Sequence, residues 1–106
     1  MKLLAVFTTV ASREEAQKIA SALVERKLVA CAQISKIDSF YFWQGAVQHE
    51  PEFRIVFKTT ETQYQAVEAA IREMHSYELP AVYAVAVEHA YGPYASWVIE
   101  GSVGGT

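Results

Sequence analysis

Apolar residues recur along this chain with two periods, two and about 3.6, and the switches between them lay out six main elements. Leu3 to Val10 is apolar and rich in strand-forming residues, which predicts a central strand buried on both faces. Ser12 then offers an N-cap, with Glu15 three residues on to complete a capping box. Ala16, Ile19, Ala20, Leu23 and Val24 follow at helical spacing, with Arg13, Lys18, Glu25 and Arg26 opposite, so an amphipathic helix should end near Lys27. Leu28 to Ile34 is a second apolar run, and strand character continues through Phe40-Tyr41-Phe42-Trp43. Gln44-Gly45 marks a tight turn, because glycine supplies the positive φ such turns require. The chain returns from Ala46 as a strand in which Phe53, Ile55 and Phe57 alternate with Arg54, Val56 and Lys58. Pro51 within it asks for an edge position or a bulge.

Thr60 and Gln63 form a second capping box, and Tyr64, Val67, Ala70, Ile71 and Met74 give the next helix its apolar face. His75-Ser76-Tyr77-Glu78-Leu79-Pro80 stops that helix, since the residue before proline avoids helical angles. Ala81 to Val87 reads as a fourth strand, again buried on both faces. Gly92-Pro93 opens a short helix with Tyr94, Trp97 and Val98 on one face, and Gly101 to Thr106 should be loose. The order is β-α-β-β-α-β, the ferredoxin-like α+β arrangement with two helices on one side of a four-stranded antiparallel sheet. Nothing reads as a linker or low-complexity segment, so residues 1–106 form one domain.

Composition narrows the function. A chain 52% hydrophobic and 20% charged is globular, and a net charge of -3 gives no pull toward nucleic acid or anionic lipid. No apolar run approaches the roughly 18 residues a membrane helix needs. Met1-Lys2-Leu3-Leu4 only loosely resembles an export signal, because its apolar stretch is short and Arg13-Glu14-Glu15 follow soon after, so a cytoplasmic location is expected. The single cysteine, Cys31, excludes an internal disulfide framework and any CxxC motif.

Chain length also bears on assembly. Each arm of the Leu28–Thr60 hairpin is about 15 residues, or about 50 Å if straight, against a body roughly 35 Å across. Its far end carries Tyr41, Phe42 and Trp43, a costly patch to hold in water beside an open sheet edge. Either the tip docks on sister copies, or a bulge folds the hairpin back over its own sheet.

The candidate chemistry is sparse. No GxSxG, P-loop, GxGxxG or HExxH is present, and nothing pairs a nucleophile with a base, so no enzyme activity is expected. His49-Glu50-Pro51-Glu52 reads as solvated polarity on an edge. Cys31 is either a core thiol among small apolar neighbours or a soft copper(I) ligand. Met74, His75 and Glu78 cluster where a helix ends, so His75 either caps that helix or ligates copper or another divalent metal. Lys58 either snorkels to water or lines a pocket for a small anion with Tyr77 and Trp97.

Several separated motifs then form a pattern. Leu28-Val29-Ala30-Cys31, Tyr41-Phe42-Trp43-Gln44-Gly45, Phe57-Lys58-Thr59-Thr60, His75-Ser76-Tyr77-Glu78-Leu79-Pro80 and Tyr94-Ala95-Ser96-Trp97 occur in that order. Together, over about Leu3 to Glu100, they resemble the CutA family of divalent-cation tolerance proteins. The resemblance implies a tight homotrimer, similar in architecture to PII-type signalling proteins, with Tyr41, Phe42 and Trp43 in the contact between subunits. It also implies a role in copper tolerance and metal response, no established catalysis, and room for a further protein partner. The family's copper ligands carry over in part. Thr8 stands where some members have cysteine, Met74-His75 where a histidine pair occurs, and Ser76 where proline is usual.

Overall fold

Strand β1 (Leu3–Val10) forms the middle of the sheet in a computed structural model that describes residues 1–104. Ser12 adopts extended angles and its hydroxyl accepts the Glu15 amide at 3.1 Å, launching α1 (Arg13–Glu25) as the capping pattern predicted. Lys27 closes the helix in the left-handed region at φ 59. The Lys27 amide donates to the Val24 carbonyl and the Leu28 amide to the Leu23 carbonyl, the paired bonds of a Schellman motif. Leu23 and Leu28, the residues that motif brings together, are both fully buried.

The next strand starts later than its apolar run suggested. Leu28 and Val29 are buried as a connection, and β2 (Cys31–Trp43) pairs antiparallel with β3 (Ala46–Thr60). A 3₁₀ turn (Glu61–Gln63), α2 (Tyr64–Met74), β4 (Val82–Val87) and α3 (Gly92–Gly101) complete the chain. The antiparallel sheet has the order β2-β3-β1-β4, the ferredoxin-like topology. Ala16, Ile19 and Leu23 of α1 and Val67, Ala70 and Ile71 of α2 pack on Val6, Val10, Ile55 and Phe57, so both helices cover one sheet face. Cross-strand pairs Val6↔Phe57 and Thr8↔Ile55 line that face, while Ala5↔Lys58, Phe7↔Val56 and Thr9↔Arg54 point the other way.

Three expectations need correction. β4 is largely exposed, with Tyr83 and Val85 each at 52%, because it pairs only with β1 and leaves its outer edge open. Thr60 caps nothing with its side chain, since its hydroxyl bonds Thr62 and the Gln63 amide reaches across the fold instead. The tail from Gly101 to Gly104 is pinned rather than loose: Gln63 Nε2 donates to the carbonyls of Ser102 (3.0 Å) and Gly104 (2.8 Å), and the Gly104 amide donates to Lys27. A Cβ on Gly104 would collide with the Arg26 carbonyl. Gly105 and Thr106 lie outside the described residues.

The hairpin is long and unbroken. β2 and β3 pair one-to-one from Cys31↔Lys58 to Trp43↔Ala46, without the bulge that folding back would need. Gln44 (φ 51) and Gly45 (φ 80) make the two-residue turn. Because β1 ends at Val10↔Phe53, everything from Ile37↔Glu52 outward is a two-stranded ribbon about 23 Å long. Pro51 sits in this part, where β3 has lost β1 as a neighbour. The longest dimension is 46 Å, and Phe40, Phe42, Trp43 and Val47 are each at least 60% exposed. No described helix is long and apolar enough to cross a membrane.

Candidate functional site

The His75 side chain is wholly buried at the exit of α2 and tied on both sides of its ring. Nε2 lies 2.8 Å from the Thr9 carbonyl, which can only accept, so Nε2 carries the proton. Nδ1 then accepts the Tyr77 amide at 3.1 Å. Glu15 Oε2 is 3.8 Å from Nδ1, and that carboxylate accepts both the amide and the hydroxyl of Ser76, each at 2.9 Å. A proline in place of Ser76 would offer neither donor.

This arrangement does not suit a metal. Both ring nitrogens are committed, so a cation at His75 would first have to displace Thr9 or Tyr77. Met74 packs against the core, Glu78 is exposed, and Cys31 lies toward the opposite end of the sheet. The Thr9 that holds His75 pairs with Arg54, whereas Cys31 pairs with Lys58, about 13 Å farther along β3. Among the described residues, no three histidine, cysteine or acidic side chains form a metal-sized group. One chain therefore does not assemble Met74, His75, Glu78 and Cys31 into a copper site.

Nor does Tyr77 join Lys58 and Trp97. Lys58 Nζ donates to Gln33 at 2.9 Å, while Trp97 stacks on Tyr94 of α3 at 5.9 Å. Tyr94 in turn lies against Cys31, and burial followed by the thiol raises its pKa. Tyr77 instead reaches the base of the ribbon, where its hydroxyl donates to Glu52 Oε2 at 2.6 Å. From Lys58 to Glu52 is about 20 Å along β3.

Along one face of the ribbon, from its foot toward the turn, lies a cleft of about 370 Å³ that sequence reasoning did not find. It is lined by Tyr41, Trp43, Glu50, Glu52 and Tyr77. The hairpin register places Tyr41 diagonally across from Glu50, and the phenol donates to Glu50 Oε1 at 2.6 Å. Ser39 Oγ donates to Glu52 Oε1 at 2.6 Å. Both phenols are held protonated: Tyr77 chiefly by burial and then by its bond to Glu52, Tyr41 chiefly by its bond to Glu50. Among the described residues no cationic nitrogen lies within salt-bridge distance of either carboxylate. The signal was legible in principle, since a two-residue turn at Gln44-Gly45 sets Glu50 and Glu52 on the face that carries Tyr41 and Trp43.

The fold, the protruding ribbon and these motifs meet in one comparison: the CutA1 divalent ion tolerance protein pattern matches residues 4–101. The chain belongs to the CutA1 family. It is 35% identical over 95 residues to the divalent-cation tolerance protein CutA of Archaeoglobus fulgidus, covering 90% of this chain and 93% of that one. The solved structure of that relative, named a periplasmic divalent cation tolerance protein, superposes with a TM-score of 0.90 at 33% identity over 94% of this chain and 98% of the other. CutA from Synechococcus elongatus PCC7942 gives a TM-score of 0.92 at 36% identity, over 95% and 90%. These relatives are named for cation tolerance rather than for a reaction.

Proposed function

We propose that this CutA1 protein acts as a homotrimer in divalent-cation tolerance, in a regulatory rather than a catalytic role. The observation that carries the assembly is the unpartnered side of the sheet. Tyr83 and Val85 stand exposed on β4, Phe7 and Tyr83 stack at 5.2 Å on the same face, and the ribbon extends its aromatic tip away from the core. A sister copy covering this face and pairing along the β4 edge removes an apolar patch and a row of unpaired backbone groups together. The number three comes from the family resemblance, and Tyr41, Phe42 and Trp43 are the ribbon residues assigned to the contact.

The tolerance role is supported by the names of the relatives, and copper is the divalent ion the resemblance singles out. Because Met74, His75, Glu78 and Cys31 do not converge within one chain, copper contact in this reading involves donors from more than one copy. Sedimentation velocity at micromolar concentration tests the assembly: three chain masses are expected, Val85→Glu lowers the mass, and a stable lone subunit overturns the reading. A thermal-shift titration with copper tests the metal half, which falls if no concentration produces a shift.

A further inference from the structure

We propose that the hydrogen bond from Tyr77 to Glu52 is a latch that sets the angle at which the ribbon leaves the sheet, and so readies its tip for assembly. The inference rests on the trimer reading and adds a residue outside the sheet that governs how fast copies associate. Glu52 is the place where such a latch has most effect. Phe53 still pairs with Val10 of β1, whereas from Glu52 outward β3 has only β2 beside it. Two strands without a third are marginal by themselves and vary more in twist than a wider sheet. Length then magnifies any movement. Over a ribbon of about 23 Å, a tilt of about 10° at the foot moves the turn by about 4 Å, close to the spacing of neighbouring strands. Exposed Phe42 and Trp43 sit at that moving end.

Tyr77 is a fixed post. The loop carrying it is bonded to β1 and α1: His75 Nε2 donates to the Thr9 carbonyl, and the Ser76 amide and hydroxyl donate to Glu15. The Tyr77 amide donates to His75 Nδ1, and beyond it Glu78 and Leu79 are exposed, so the anchored stretch ends at Tyr77. Glu52 accepts two hydroxyls, each at 2.6 Å, and they differ in what they join. Ser39 lies on β2 and travels with the ribbon, so only the bond from Tyr77 ties ribbon to body. Hydroxyl hydrogen bonds run to about 3.0 Å, which leaves the tilt little range while this one holds. Successive strand residues face opposite ways, and on the other face of β3 the Arg13 guanidinium lies 4.9 Å over the Phe53 ring. The pivot is therefore held from both sides. Fixing the ribbon before contact lowers the ordering cost that association otherwise carries.

Refolding of the full chain by dilution from urea, followed by light scattering at several protein concentrations, separates folding from association. The concentration-independent phase reports folding of one chain, and the concentration-dependent phase reports the meeting of copies. Tyr77→Phe keeps the ring and should slow the concentration-dependent phase about tenfold, the effect of losing one charge-assisted contact. Ser39→Ala removes the other bond to the same carboxylate and should leave that phase at the wild-type rate. Glu52→Ala cuts the latch from the ribbon side and should reproduce Tyr77→Phe, so either variant alone carries the measurement if the other fails to fold. A wild-type association rate in Tyr77→Phe, or equal slowing in Ser39→Ala, overturns the latch and leaves the trimer standing. A wild-type chain that shows no concentration-dependent phase and sediments as a lone subunit overturns the trimer, and the latch with it.

Discussion

The Tyr77 hydroxyl donates to the Glu52 carboxylate at 2.6 Å, joining the loop after α2 to the foot of the hairpin. The two residues are far apart in sequence, and Tyr77 is itself placed by its amide bond to buried His75. Tyr77→Phe removes the hydroxyl and should cost about 1–2 kcal/mol at neutral pH, read from urea denaturation. The pH dependence has a definite sign. The folded-state pKa of Tyr77 lies above its ordinary value of 10.0, so the fold favours the protonated phenol. That contribution is complete below about pH 10 and is lost as pH rises through the folded-state value. Stability should fall with rising pH in the alkaline range, and Tyr77→Phe should flatten that fall.

Thr8 is fully buried on the helix side of β1, and its Oγ1 has no hydrogen-bond partner. Valine has the same shape without the orphaned hydroxyl. Thr8→Val should stabilise the protein by about 1–2 kcal/mol, measured as a raised denaturation midpoint at unchanged slope. A loss of stability would mean that the hydroxyl has a partner after all.

Lys27 holds φ 59 at the end of α1, a conformation that costs a side-chain-bearing residue and costs glycine nothing. Lys27→Gly should gain about 0.5–1 kcal/mol, less the extra freedom glycine brings to the unfolded chain. The thermal midpoint reports it.

Gln63 holds the carbonyls of Ser102 and Gly104 with a single amide group. Gln63→Ala should cost about 1–2 kcal/mol and release the tail. Hydrogen exchange checks this at the Gly104 amide, which donates to Lys27 and should lose its protection before the sheet does.

Local pattern made most of the fold legible. The alternation of Phe53, Ile55 and Phe57 and the Ser12–Glu15 cap are set by neighbours a few residues away, and both appear where the pattern puts them. What escaped depends on distant partners. Gln63 matches a capping box, yet its amide is drawn to carbonyls near residue 102, a choice no local window contains. The apolar run in β4 predicts burial, but its place at the edge of the sheet leaves Tyr83 and Val85 uncovered within one chain. At the site, spacing groups Tyr77 with Lys58 and Trp97, whereas the loop after α2 carries Tyr77 to the ribbon. Glu50 and Glu52 read as solvated polarity until the register sets Tyr41 beside them.

The uninterrupted pairing of the two hairpin arms also gives the ribbon a reading frame of its own. Adding one residue to each arm beside Gln44-Gly45 would lengthen it and leave the existing pairs on their sides. One extra residue in a single arm, between Pro51 and Phe53, would break the one-to-one pairing at the ribbon's foot and have to be absorbed there as a bulge. Glu50 would stay with Tyr41, and the ring of His49 with Phe40, on which it stacks at 4.1 Å, because both pairs are set from the turn side. Length is therefore negotiable in this ribbon, whereas parity is not.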